Sequence, residues 1–132
     1  LKKFGFSNFY GADLSQKLLD LVPSGLYKSL EKVDLNKTIN HKDNSFDAVM
    51  CIGTFTFGHV KPPALDEFLR ITKNSGLICF TINEGIHEEY GFDKKLDKLK
   101  KENRWKEIEF FKSDYIASKD VNAWLGLYEV VK

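Results

Sequence analysis

One stretch dominates the polarity pattern of this chain. A polar turn, Asp43-Asn44-Ser45, leads into Phe46-Asp47-Ala48-Val49-Met50-Cys51-Ile52, which is apolar almost throughout, and Gly53 then opens a loop of small and aromatic residues. An apolar run of this length between turn residues predicts a strand buried on both faces of a parallel sheet. Sheets of that kind place ligands outside the carboxyl ends of their strands, so residues 52–60 are where a site is expected.

The rest of the chain alternates around that strand. A short strand over residues 8–12 precedes a helix over 16–22, which Ser15 caps and Leu18, Leu19 and Leu21 give an apolar face until Pro23-Ser24-Gly25 stops it. Residues 27–33 read as a strand ending in Asp34-Leu35-Asn36, and 37–44 as polar and irregular. Pro62-Pro63 starts a helix to about Lys73, with Leu65, Phe68, Leu69 and Thr72 on one face. Asn74-Ser75-Gly76 turns the chain into a second apolar strand over 77–82, followed by a loop over 83–90. A helix over 93–103 puts Phe92, Leu96 and Leu99 on one side and a solvated lysine face elsewhere. Residues 105–115 and 123–131, separated by a polar loop, predict an antiparallel hairpin at one sheet edge. Leu1-Lys2-Lys3-Phe4-Gly5-Phe6 reads as the end of a helix stopped by Gly5, with its beginning missing.

Length and charge narrow the function classes. The 132 residues are expected to form one domain, long enough to bury a core. A formal net charge of +1 predicts no electrostatic footprint for nucleic acid or an anionic membrane. No signal-peptide pattern opens the chain, and no apolar run is long enough to span a bilayer. Cys51 and Cys79 both fall in predicted core strands, which suits reduced, buried thiols rather than a disulfide or a metal site. A cytoplasmic α/β protein is the expectation.

Three stretches carry a resemblance: Gly11-Ala12-Asp13-Leu14-Ser15; Ser45-Phe46-Asp47-Ala48-Val49 with Gly58-His59-Val60; and residues 67–78, Glu67-Phe68-Leu69-Arg70-Ile71-Thr72-Lys73-Asn74-Ser75-Gly76-Leu77-Ile78. With the element order, they make the chain resemble the class I S-adenosylmethionine-dependent methyltransferases. Among these it looks most like the methyltransferase-like proteins of the Williams–Beuren chromosome region. Asn74-Ser75 departs from the family's usual Lys-Pro-Gly-Gly turn. The resemblance implies a Rossmann-like sheet, mostly parallel, ordered three-two-one-four-five-seven-six with a C-terminal antiparallel hairpin. It covers the C-terminal two-thirds or more of the family's domain. The family's first strand and glycine-rich turn are not found in this sequence, so the inner edges of the strands at 8–12 and 46–52 would lack partners. The chain is therefore expected to be a fragment of a longer protein, and cofactor affinity to be weak without the missing turn.

The same resemblance assigns roles residue by residue. Asp13, at a strand end, corresponds to the acid that accepts the ribose hydroxyl protons of S-adenosyl-L-methionine, with Leu14 against the adenine; capping the next helix is the alternative. Asp34 corresponds to the acid for the adenine amino group, and Leu35 offers a backbone amide, unless Asp34 only orders its turn. Cys51, Ile52 and Gly53 occupy the position facing the methionine part of the cofactor, where glycine permits close backbone approach. Phe55 or Phe57 forms an apolar wall around the substrate, or both are core. His59 is the one catalytic candidate, in the substrate pocket as a base or a group that orients the substrate; in the plainer reading it caps the following helix or bonds to backbone. Glu84 and His87 line the acceptor pocket or are ordinary loop residues. Cys51 as a nucleophile is disfavoured, because an apolar strand keeps a thiol protonated.

Methyl transfer needs mainly alignment of donor and acceptor, so the lack of an evident acid–base pair leaves this reading intact. The expected function is transfer from S-adenosylmethionine to a small-molecule acceptor. Two others stay open: a nicotinamide-dependent dehydrogenase, since Asp13 would serve an NAD ribose equally well, and a non-catalytic methyltransferase-like module that binds a protein. Nucleic-acid acceptors are disfavoured, because Gly53-Thr54-Phe55-Thr56-Phe57 stands where the family's Asn-Pro-Pro-Tyr-type loop would read a base.

Overall fold

The computed structural model describes residues 8–58, 60–116 and 121–132. The expected helix end at residues 1–6, the candidate His59 and most of the polar hairpin loop lie outside these. The chain forms two compact units, Leu1–Ile39 and Asn40–Lys132.

In the first unit, β1 (Tyr10–Asp13) and β2 (Ser29–Lys32) pair in parallel, with Tyr10 opposite Ser29 and Asp13 opposite Lys32. The bonds Lys28 N–H to Phe9 C=O (2.6 Å) and Val33 N–H to Asp13 C=O (2.8 Å) extend the ladder at both ends. Between the strands lies α1 (Gln16–Asp20), shorter than its leucines predict. Ser15 caps it, the hydroxyl accepting from Leu18 N–H at 3.3 Å. Leu19 is buried while Leu18 and Leu21 are exposed, so a single leucine secures the helix within this unit.

In the second unit, β3 (Phe46–Phe55), β4 (Thr72–Asn83), β5 (Trp105–Ile116) and β6 (Val121–Val130) form one sheet in the order β3-β4-β6-β5. β3 and β4 are parallel, and β6 runs antiparallel to both β4 and β5. The sheet is mixed rather than mostly parallel, because the β3–β4 ladder is parallel while the β5–β6 hairpin and its docking on β4 are antiparallel. β4 starts earlier than the apolar pattern predicts. The expected turn survives as an irregularity inside it, with Ser75 at φ 65° and the register stepping from Phe46–Thr72 to Ala48–Leu77. A Cβ on Gly76 would stand 2.8 Å from the Asp47 carbonyl oxygen, so only glycine fits there.

Three helices cover one face of this sheet: α2 (Ala64–Ile71), the short α3 (Glu84–His87) and α4 (Phe92–Lys101). In α2, Leu65, Phe68 and Leu69 are buried at the spacing of three and four that marks a helix face. Pro62 and Pro63 precede its first turn, where no backbone N–H is needed, and Asp66 and Glu67 complement the helix dipole. Beneath the helices Phe55 meets Phe68, Phe80 and Phe92 with ring centroids 6.0, 6.0 and 4.8 Å away. Phe80 lies parallel to Tyr128 (5.5 Å), and Trp105 stacks on Tyr128 at 4.0 Å.

The opposite face corrects the expectation of a strand buried on both sides. Ala48, Met50 (57%), Ile52 (48%) and Leu77 are exposed, because every helix of this unit packs on the other face and β3 is the edge strand of its sheet. Among the described residues, no helix is long and apolar enough to cross a membrane.

The aromatic stack leaves no room at Gly126, where a Cβ would lie 2.8 Å from Tyr128 and 2.9 Å from Phe80. Gly126→Ala should therefore cost about 1–3 kcal/mol through overpacking, read as a lower urea midpoint. An unchanged midpoint would show that the stack gives way without penalty.

Candidate functional site

The candidate residues sit at strand ends, in two groups that belong to different units. In the first, Asp13 ends β1 and Asp34 follows β2 by two residues, so both carboxylates lie at the carboxyl end of one parallel pair. Each also orders its own loop. Asp13 Oδ1 accepts from Ser15 N–H at 2.9 Å, and Asp34 Oδ1 accepts from Asn36 N–H at 2.9 Å. These are the local turns that short acidic side chains favour, and each uses one oxygen of a group with two. Leu14 beside Asp13 is exposed, and Leu35 beside Asp34 is half-buried.

The second group surrounds the exits of β3 and β4. Gly53 adopts φ 77°, and its N–H donates to the hydroxyl of Thr81 on β4 at 2.9 Å. Here the ladder breaks: between the pairs Cys51–Phe80 and Phe55–Ile82, the three residues Ile52, Gly53 and Thr54 face Thr81 alone. Neighbouring side chains in β3 point to opposite faces. Ile52 is accordingly exposed, while Cys51 goes to the core, where burial pushes its thiol up to about 11 despite a hydrogen bond from Thr54. A thiol so placed remains protonated and is no nucleophile.

Of the two aromatic wall candidates, Phe55 is a core residue at 1% exposure and faces the helices, which removes it from the substrate pocket. Phe57 stays at the surface (53% exposed) and packs edge-on against Tyr90, with centroids 6.3 Å apart. Its ring reaches so close to Gly85 that a Cβ there would be 2.6 Å away. Asn83 caps α3 by accepting from Gly85 N–H at 2.8 Å, which holds that glycine under the ring. Gly58 N–H donates to the Tyr90 hydroxyl at 3.0 Å, and the Lys61 ammonium lies 3.5 Å from the centre of the Tyr90 ring.

Glu84 and His87 part ways within α3. Glu84 is paired with Lys112 of β5 at 2.6 Å. His87 packs against Trp124 (5.2 Å) and Phe110 (5.8 Å), and its buried Nε2 has no hydrogen-bond partner among the described residues. Burial lowers its pKa below the ordinary histidine value, and the charges of Asp93 and Glu88 only partly oppose this. Half-buried at the end of α3, it packs its ring on these two aromatics of the hairpin.

Thr81, Asn83 and Tyr90 are the residues that sequence reasoning missed. A signal existed for Thr81, the one hydroxyl inside Ile78-Cys79-Phe80-Thr81-Ile82. None existed for Tyr90, whose partner lies thirty-two positions away.

Residues 1–80, more than half of the chain, match the sequence model of a methyltransferase domain. The chain belongs to the methyltransferase domain family. No curated protein sequence matches it. Solved structures share the fold at low identity. One, from Listeria monocytogenes and assigned to the S-adenosylmethionine-dependent methyltransferases, is 10% identical with a TM-score of 0.73, over 99% of this chain and 84% of that one. The N-methyltransferase NodS from Bradyrhizobium japonicum WM9 is 12% identical with a TM-score of 0.66, over 95% of this chain and 74% of its own. A cyclase, SpnF, is 12% identical with a TM-score of 0.68, over 97% and 77%. Methyltransferase-domain folds thus carry more than one chemistry, and the acceptor has to be argued from the site.

His87 gives this methyltransferase-domain chain a pH signature. Its folded pKa lies below the unfolded value, so the unfolded state takes up its proton first as the pH falls, and stability is lost below about pH 6.5. Urea unfolding at pH 7.5 and 5.5 should show a larger loss for the wild type than for His87→Phe. Equal losses would mean that the imidazole is solvated.

Proposed function

We propose that the chain binds S-adenosylmethionine and directs methyl transfer to a small-molecule acceptor. What carries this reading is the placement of Asp13 and Asp34 at the same end of the β1–β2 pair, in a chain that matches the methyltransferase domain model. The residues suit the cofactor. Two carboxylates one strand apart, each with an oxygen left over from its own turn, match two vicinal ribose hydroxyls and an adenine amino group. Exposed Leu14 offers apolar contact to the purine beside them, and Leu35 a backbone amide.

The bound cofactor supplies a methyl group already activated on a sulfonium. The task left to the protein is to bind, align and exclude water. At the exit of β3, the exposed backbone of Gly53 permits close approach to the methionine part, flanked by Cys51 and Ile52, with Phe57 as the apolar wall. Glu84, tied to Lys112, edges the acceptor side. The two free thiols and the near-neutral charge fit a protein of a reducing compartment, with neither nucleic acid nor a membrane as acceptor. Nearness to the Williams–Beuren-region proteins is proposed on the look of the whole chain, beyond the three stretches that carry the wider family likeness.

Calorimetric titration with S-adenosylmethionine, S-adenosylhomocysteine and NAD tests the proposal. Binding of the two sulfur nucleosides without NAD is expected. Tight NAD binding alone would put the dehydrogenase reading first, and binding of none would favour a non-catalytic module. Asp13→Asn keeps the turn to Ser15 but removes the charge, so S-adenosylhomocysteine affinity should fall about tenfold, the value of a hydrogen bond to a charged group. Stability should change by no more than about 0.5 kcal/mol. Unchanged affinity would leave Asp13 with its capping role alone.

A further inference from the structure

The loop leaving β3 is held at both ends by side-chain hydroxyls from elsewhere in the second unit. It begins at Gly53 (φ 77°) and reaches Gly58 (φ 73°), two left-handed glycines that take their N–H groups out of the regular ladder. Gly53 N–H donates to Thr81 Oγ1 on β4 at 2.9 Å. Gly58 N–H donates to Tyr90 Oη, from the turn between α3 and α4, at 3.0 Å. Between them the chain is tightened again by Thr56 N–H on the Thr54 carbonyl (3.0 Å). Tyr90 also meets Phe57 edge-on, and Phe57 in turn rests against Gly85.

The coincidence is specific. A bulge in a parallel ladder leaves a backbone N–H without its strand partner, and a threonine in an otherwise apolar run supplies the acceptor. Five residues further on the same need recurs at a second glycine and is met by a different hydroxyl. Both anchors come from the β4 side, so the exit of β3 takes its shape from the exit of β4.

We propose that Thr81 and Tyr90 are positioning residues for the methyl-transfer site. They hold the Gly53–Gly58 loop in one shape before any ligand arrives, so that the Gly53 backbone and the Phe57 ring meet the cofactor and acceptor without first being ordered. This rests on the function proposed above and deepens it by naming what fixes the loop.

The test uses the whole chain with Thr81→Val, which keeps the shape and removes the hydroxyl, Thr81→Ser, which restores it, and Tyr90→Phe, which keeps the ring. Amide hydrogen exchange at Gly53 should speed up about tenfold in Thr81→Val, and at Gly58 in Tyr90→Phe, as loss of one hydrogen bond predicts. S-adenosylhomocysteine affinity, measured by calorimetry well below the melting temperature, should weaken about three- to tenfold in each, with recovery in Thr81→Ser. A lowered melting temperature with unchanged affinity would reduce both residues to structural supports and overturn the proposal, as would unaltered exchange at the two glycines. A wild type that binds neither S-adenosylmethionine nor S-adenosylhomocysteine overturns the site reading and this proposal together. Wild-type binding matched by equal binding in the variants overturns the positioning role alone.

Discussion

Parallel strand pairing is the constraint from which the candidate site follows. Two parallel neighbours must be joined by a crossover, so both strands of a pair finish on the same side, and the loops that leave them are side by side. β1 and β2 bring Asp13 and Asp34 together in this way, and β3 and β4 bring Gly53 beside Thr81 and α3. Helix α1 is too short and too exposed to be stable by itself, and the ladder from Phe9 to Val33 is what gives the acidic loops a fixed place. In the second unit α2 makes the crossover. Arg70 near its end pairs with Glu67 and Asp43 and donates to the His41 carbonyl, tying the entry of β3 to the end of the helix.

The core explains which aromatic residues are left over for function. Phe55, Phe68, Phe80, Phe92, Trp105 and Tyr128 form a continuous set of ring contacts under α2 and α4, and that set takes these six rings into the core of the unit. Phe55 belongs to it by alternation, since it sits opposite Ile82 on the helix-covered face. Phe57, two residues on, is past the end of the strand and escapes. The ring of half-buried His87 rests on Phe110 and Trp124 and so extends the aromatic packing to α3.

Much of this was legible in the sequence, and the failures have physical causes. The helix patterns around Phe68 and around Leu96, the apolar strands at 46–52 and 77–82 and the terminal hairpin could be read because periodicity is a local property. Asp13 and Asp34 could be placed because a strand end is recognisable from its own neighbours. Burial of β3 on both faces was misjudged: an unbroken apolar run states what a strand can tolerate, not what covers it, and Met50 and Ile52 remain exposed. Helix α3 was invisible in a four-residue segment whose cap, Asn83, reads equally well as a turn residue. The hydroxyls of Thr81 and Tyr90 find their glycines 28 and 32 positions away, which no local pattern encodes.

The central claim is that the ligand meets the loops at the strand exits and not another surface of the fold. Chemical-shift mapping of the isotope-labelled chain during titration with S-adenosylhomocysteine tests it most directly. The account predicts that amides of Gly11 to Leu14 and Asp34 to Asn36 shift together at a common affinity, and that within the second unit those of Ile52 to Gly58 shift while those of Lys106 to Phe110 stay still. Shifts confined to the hairpin strands, or to one acidic loop of the β1–β2 pair without the other, would contradict it.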